Sequence, residues 1–446
     1  MKNIKTTSKF ISLLLLCASV ASCSPNAGKT GGYKGGAQGL EPAPEKKITI
    51  SYPKNNEDTL ILKPQVMKYI GAMYEQAKAI ENDYVLHDFY VCGEAGSNYG
   101  AVYSNETDLV RVADYCDLSI NESMSKKVAL VFDAEGFEEG TEFTVTYGTD
   151  TDLSDGVSIK TVEKFVGVPN LLSNKTYFWK VEADGVSSEL ESFHTHDGFR
   201  MATASGISNI RDMGGRKVSG NKRIKQGLIY RGGEMVTETY TDTKSGSKHY
   251  GNLTEENMKV MRDDLLIKQE IDFRGDEESN NLVHSPLWDE DKYSDIDYFR
   301  IPNLAGYDYF FNMNQYLDRV KDMFIAFKNA NEKHVYFHCW GGADRTGTVG
   351  FLLGGLLGMS YTDLIIDFEL TSFSCNYRPH HMNDAKKIYR FPSLIYALKT
   401  LKNGSNETYY TPTKPIATII EEILIDKIGL THEDIVEIRN NLLEDC

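Results

Sequence analysis

The 446-residue chain is short of three things, and each shortage narrows its class. Seven cysteines are too few for a disulfide scaffold, and no two of them form the CxxC pair that would suggest zinc. Positive charge is scarce: 48 Lys and Arg stand against 64 Asp and Glu, a formal charge of -16. A nucleic-acid partner would need a basic face, so this balance argues against one. After the first segment, no stretch reaches the roughly 18 unbroken apolar residues of a membrane-spanning helix. What is present is ordinary globular composition, 41% apolar and 25% charged, which excludes a mainly disordered chain. The length exceeds what one hydrophobic core fills, so two or three domains are expected.

Residues 1–22 read as a secretory signal. Lys2, Lys5 and Lys9 precede an apolar run from Phe10 through Val20, too short to span a bilayer permanently. The following Val20-Ala21-Ser22-Cys23 resembles a bacterial lipobox, which implies lipidation of Cys23 as the first mature residue. An ordinary cut nearby, without lipid, is the alternative. Loss of the signal removes three lysines and no acid, leaving a formal charge of -19. The location this implies is the bacterial cell envelope, lipid-anchored on the periplasmic or cell-surface side. Residues 23–46, with six glycines from Gly28 to Gly39 and Pro25, Pro42 and Pro44, form a tether reaching roughly 25–30 Å as a random coil.

Residues 47–124 are an ill-defined α/β segment. Val66, Ile70, Met73, Tyr74, Ala77 and Ile80 recur at helical spacing, and Pro64 suits a first turn. Cys92 and Cys116 can pair in an oxidising envelope, or remain two separate thiols. From 125 to 196 the period changes to two, in Phe143, Val145, Tyr147 and again in Tyr177, Trp179, Val181. Turns are expected at Gly136, Gly140, Gly148, Asp155-Gly156 and Asp184-Gly185. The stretch from Leu171 to Tyr177 resembles the tyrosine corner of fibronectin type III and related sandwiches. That implies a β-sandwich whose Tyr177 bonds to the upstream backbone and whose Trp179 packs between the sheets. The span is short for such a module, so an earlier strand such as Ile48–Tyr52 is expected to complete it. Its role would be spacing or weak partner contact.

Val335-Tyr336-Phe337 leads into His338-Cys339-Trp340-Gly341-Gly342-Ala343-Asp344-Arg345-Thr346-Gly347, and Thr348 through Met359 then reads as a buried helix. Strand, glycine-bearing loop and helix together aim backbone N–H groups and a helix N-terminus at an anion. A cysteine is a useful nucleophile only as thiolate, and that surrounding, with Arg345, favours the thiolate. Arg345 offers a planar fork to two phosphate oxygens, while Gly341 and Gly342 let the backbone curl closely around the bound group. The pattern HCxxGxxRTG is the signature of cysteine-based phosphatases. A rhodanese-like sulfur transferase also uses a loop cysteine, but neither the spacing nor the Arg-Thr-Gly ending supports it.

The resemblance extends beyond the loop, to the bacterial family of atypical tyrosine and lipid phosphatases whose loop reads HCxxGKDRTG. Its N-[FL]-R-D-x-G-G element is matched by residues Asn209 to Gly215, and its G-x-x-Y-R by Gly227 to Arg231. Its strand ending D-[LF]-R is matched by Ile271-Asp272-Phe273-Arg274, and its D-Y-E-L-S/T helix by Asp367 to Thr371. Leu430-Thr431-His432-Glu433-Asp434 then opens a capped helix. The resemblance implies a domain over 197–446 built on a mainly parallel sheet flanked by helices. It implies Cys339 as nucleophile, Arg345 as phosphoryl clamp and Asp344 as general acid, with Trp340, Gly341, Gly342, Ala343 and Thr346 completing the phosphate loop. Thr346 would donate to the thiolate, and His338 would fix the loop by hydrogen bonds. The main branch of tyrosine phosphatases takes its acid from an upstream loop; here Ile301-Pro302-Asn303 puts an amide near that slot, and Asp308 is the second candidate. Arg211, Asp212, Asp272 and Arg274 are read first as ion pairs at the sheet ends, and second as substrate contacts. Ala343 replaces the family's loop lysine, which weakens a lipid-phosphatase reading.

The expected activity is phosphomonoester hydrolysis, phosphotyrosine in a protein first, through a phosphocysteine and without metal or cofactor. Phosphoinositide hydrolysis and a vestigial phosphatase fold serving as an envelope binding protein are the alternatives. A thiolate of lowered pKa is open to oxidation in an oxidising compartment, and Cys375 or Cys446 are candidates to protect it through a disulfide, although spacing alone does not show proximity.

Overall fold

The computed structural model describes residues 44–79, 110, 112–116, 124–312, 316–374 and 391–446. The signal, Cys23, most of the tether, Cys92 and Cys375 lie outside them. No helix among the described residues is long and apolar enough to cross a membrane.

The first strands are β1 (Lys47–Tyr52) and β2 (Glu57–Thr59), followed by helix α1 (Pro64–Ala79). Then come β3 (Val128–Glu135), β4 (Phe143–Gly148), β5 (Val157–Thr161), β6 (Phe165–Val168), β7 (Thr176–Ala183), β8 (Val186–Ser187) and β9 (Glu191–Thr195). Strict alternation dictates their orientation: β3 and β7 bury every second side chain, so each sheet has one wet and one dry face. One sheet runs β1-β3-β6, the other β2-β9-β7-β4-β5 with β8 on β7. Their dry faces share one apolar cluster, including Ile48, Ile50, Leu130, Phe132, Val145, Trp179, Val181 and Phe193. The Tyr177 hydroxyl accepts the Leu172 N–H at 2.9 Å, and the Trp179 indole N–H donates to the Pro53 carbonyl at 3.0 Å. Asp184 and Gly185 both take positive φ, 50° and 81°, as a two-residue turn between right-twisted strands requires.

The remaining strands are β10 (Arg211–Asp212), β11 (Lys217–Val218), β12 (Lys222–Ile224), β13 (Ile229–Gly232), β14 (Tyr240–Thr241), β15 (Lys248–His249), β16 (Ile267–Asp272), β17 (Asp297–Arg300), β18 (His334–His338) and β19 (Leu443–Asp445). The helices are α2 (Glu255–Lys259), α3 (Leu317–Lys328), α4 (Asp344–Leu356), α5 (Tyr361–Glu369), α6 (Phe391–Thr400), α7 (Ile416–Ile423) and α8 (His432–Leu442). A five-stranded sheet has the order β10-β13-β18-β16-β17; its last four strands are parallel and β10 is antiparallel. Parallel strands covered on both faces read as continuous apolar runs, as Val335-Tyr336-Phe337 does. Alternate residues divide between the faces: Ile229, Val335 and Phe337 join one apolar cluster, Tyr230 and Tyr336 another. The first cluster holds side chains from α3 to α8 and also Val66, Tyr69, Ile70 and Met73 of α1. β18 lies at the centre, so the segment leaving its carboxyl end emerges where open α/β sheets present their ligand sites.

Candidate active site

The loop from Cys339 to Ala343 connects β18 to the N-terminus of α4. Its backbone direction follows from its carbonyl partners. His338 Nδ1 lies 3.1 Å from the Cys339 carbonyl, and the Glu234 N–H donates to that of Trp340 at 2.8 Å. Asn209 Nδ2 donates to the carbonyls of Gly341 and Gly342 at 3.3 and 3.1 Å, and Arg231 Nη2 to that of Gly342 at 2.9 Å. Since C=O and N–H of a trans peptide point in opposite directions, tying these carbonyls outward turns the following N–H groups toward the interior of the loop. Gly342 makes the curl possible: its φ is +66°, and a Cβ there would come within 2.3 Å of the Gly232 carbonyl.

Cys339 is buried, and Arg345 is the second residue of α4, with a fifth of its side chain exposed. Glu278 takes one hydrogen from each terminal nitrogen of Arg345, at 2.7 and 2.5 Å, and the Phe273 carbonyl accepts a second from Nη1 at 3.0 Å. Of five donors, the Nε–H and the outer Nη2–H are left without a partner among the described residues, and these two share one edge of the guanidinium. That edge matches a pair of phosphoryl oxygens. Burial disfavours the charge on Arg345, but Glu278 and the adjacent Cys339 hold its pKa above the ordinary arginine value. Asp344 heads the same helix, and the Tyr307 hydroxyl donates to its Oδ1 at 2.6 Å. Thr346 is fully buried, and its hydroxyl has no partner among the described residues.

Beneath the loop lies a layer of buried charge. Asp367 on α5 accepts from Arg211 Nε at 2.8 Å and Arg231 Nη1 at 2.6 Å. Burial would raise Asp367, yet the two guanidinium groups hold it below the ordinary carboxylate value. Burial, with Arg211 alongside, pushes Arg231 down to about 10 despite Asp367. Asp212 pairs not with its neighbour Arg211 but with Arg200, at 2.7 Å. Arg274 forks Asp272, Nη2 to Oδ2 being 2.8 Å; Arg274 and His338 hold Asp272 well below the carboxylate range against the burial that would raise it. His338 Nε2 lies 2.9 Å from Glu270. Burial works against a charge on His338, but Asp272 and Glu270 outweigh it and raise its pKa.

Glu270, Asp272 and His338 offer three donor atoms within 4.8 Å of one another. Their lone pairs are already engaged: Arg274 and Tyr298 take Asp272, Ser285 and His338 take Glu270. This trio is therefore balanced by protein cations and hydrogen bonds, and nothing in it calls for a metal.

The loop residues singled out in the sequence thus stand together at one sheet end, while Arg211, Asp212 and Arg274 are fully buried beneath them in ion pairs. Asp308 falls in the 3₁₀ turn Tyr307–Asn312; its side chain lies outside what the structure describes. Glu278, Tyr307 and Glu234 carried no motif of their own, and only their placement shows that they reach the loop and the start of α4. Asn209 opens the matched N-[FL]-R-D-x-G-G element, and the structure adds its bonds to the loop carbonyls. Beside Trp340 and Gly341 opens a cavity of about 730 Å³, in which Glu234 is the single charged residue among the described lining.

Residues 202–444 match the model of the tyrosine phosphatase family, just over half of the chain. The chain belongs to the tyrosine phosphatase family. Among its curated relatives is a protein of Cupriavidus necator named "Putative tyrosine-protein phosphatase", 26% identical over 179 residues. That stretch is 36% of this chain and 59% of the relative, so the chain spans about three fifths of the relative's length. For this family member the cysteine loop, the helix behind it and the Asp367 layer all lie inside the matched residues.

Proposed function

We propose that this phosphatase hydrolyses phosphomonoesters, phosphotyrosine in proteins first, with Cys339 as nucleophile. The observation that carries the reading is the allotment of Arg345's donors: three are spent on Glu278 and Phe273, and the remaining edge is left for two phosphoryl oxygens. In the first step the Cys339 sulfur attacks phosphorus, the P–O bond to the leaving group breaks, and Asp344 delivers a proton to the departing oxygen. In the second, Asp344 takes a proton from water, the oxygen attacks phosphorus, and the S–P bond breaks with the thiolate as leaving group. Thr346, whose buried hydroxyl has no partner among the described residues, is read as the donor to that thiolate. Loop N–H groups, the N-terminus of α4 and Arg345 stabilise the phosphoryl oxygens through both steps.

Phosphotyrosine is preferred over phosphoinositides on charge. A multiply phosphorylated headgroup needs several cations around the loop, but Ala343 contributes none and the described lining of the adjoining cavity carries only Glu234. We read the two sheets that share the Trp179 core as a fibronectin type III-like module completed by β1, whose role is spacing or weak partner contact. Cys23 is read as the lipid anchor of an envelope protein.

Protein lacking residues 1–46 is expected to hydrolyse p-nitrophenyl phosphate in the presence of a chelator. Cys339→Ser should abolish turnover and keep tungstate binding; turnover that survives it removes Cys339 from the mechanism. Parallel assays on a phosphotyrosyl peptide and a phosphoinositide decide the substrate class.

A further inference from the structure

The hairpin β14–β15 lies outside every motif of the sequence, yet it reaches both ends of the phosphate loop. His249 has no exposed side-chain surface, and its Nδ1 lies 2.7 and 2.8 Å from the two Glu234 oxygens. An ionised carboxylate can only accept, so Nδ1 carries the hydrogen. The imidazole stacks on Tyr240, with centroids 4.7 Å apart and planes 5° from parallel, and leans on Trp340 at 4.9 Å and 34°. Trp340 directly follows Cys339, and its carbonyl is held by the Glu234 N–H. At the other end of the loop, the Tyr240 hydroxyl donates to the Glu278 carbonyl, and the carboxylate of that same Glu278 forks Arg345. Arg274 closes the circuit from Glu234 to Asp272.

The loop itself needs such restraint. Gly341 and Gly342 make its middle pliable, whereas catalysis needs Cys339 and Arg345 on the same phosphoryl group within a fraction of an ångström. Paired strands of only two residues are weak alone, so the hairpin's contacts with the loop order both partners. Its tip is locked separately: Asp242 accepts from the Lys244 N–H at 2.7 Å and the Ser245 hydroxyl at 2.6 Å.

We propose that His249 is a positioning residue which, with Tyr240, fixes the spacing between Cys339 and Arg345. The proposal rests on those two being nucleophile and clamp. In the full chain, His249→Phe keeps a ring but loses the bond to Glu234, His249→Asn keeps a donor but loses the stack, and Tyr240→Phe loses only the hydroxyl. With p-nitrophenyl phosphate, His249→Phe is expected to lower kcat by about 10- to 100-fold with KM changed less than about threefold, at an unchanged melting temperature. His249→Asn should recover part of that loss, and Tyr240→Phe should fall in kcat by about 3- to 10-fold. Folded variants whose kcat stays within about threefold of wild type, or whose loss only tracks the folded fraction, overturn the proposal. If neither His249 variant folds, Tyr240→Phe alone decides by the same criterion. Wild type and Cys339→Ser run alongside: absence of Cys339-dependent turnover in wild type overturns the nucleophile reading, and the positioning role with it.

Discussion

As the proposed phosphoryl clamp, Arg345 must face two ways, toward a substrate and toward whatever holds it still. Glu278 and the Phe273 carbonyl occupy one end of the guanidinium, so the side chain is set before any phosphate arrives. Glu278→Gln keeps the size but loses the anionic fork, and is expected to lower kcat/KM by about 10- to 100-fold on aryl phosphates, read by steady-state kinetics. Asp344 is tested through the leaving group. Asp344→Asn should cost about 10²- to 10⁴-fold in kcat, with the steepest loss for leaving groups of high pKa. A uniform loss across leaving groups would assign the proton to another residue, with Asp308 the next to substitute. At this scale the sequence displays what is contiguous: Cys339, Asp344 and Arg345 stand within seven residues, and the fold keeps them together between β18 and the start of α4. Glu278 lies 67 positions before Arg345 and His249 90 positions before Cys339, with no periodic or motif signal, so only the fold brings them to the loop.

Strand, loop and helix obey a local logic that spacing can display. The apolar Val335-Tyr336-Phe337 run is a buried parallel strand, and alternation in β3 and β7 is the mark of sheets with one wet face. What spacing cannot display is how elements are fastened. Asp367 joins α5 to β10 through Arg211 and to β13 through Arg231, and Arg231 continues to the Gly342 carbonyl. Asp367→Asn removes the one carboxylate between two fully buried guanidinium groups and leaves their charge uncompensated. It should cost about 3–5 kcal/mol in stability by urea denaturation. If stability holds while activity drops, Asp367 acts on the loop alone.

Over the whole chain, the element that decides where the catalytic unit begins is α1. The sequence displayed its period but not its allegiance, because an apolar stripe at helical spacing states that a helix is covered, not by what. Val66, Tyr69, Ile70 and Met73 are buried in the same cluster as Phe351, Leu364 and Phe373, and the Tyr74 hydroxyl donates to Asp363 on α5. The segment joining the paired sheets to the phosphatase part is fastened too: Arg200 donates to the carbonyls of Asn170 and Leu171, and Ser173 is bonded to Gln226. A chain begun at residue 197, just ahead of the family match, would strip α1 from that apolar surface and leave Gln226 without Ser173. Four buried apolar side chains at about 1.5–3 kcal/mol each amount to much of a domain's net stability. A chain begun at residue 45 is therefore expected to be soluble with one cooperative melt. The chain begun at 197 should aggregate or melt at least about 10 °C lower by differential scanning calorimetry. Equal melting of the two would show that the phosphatase part folds without α1, and that the helix merely rests on it.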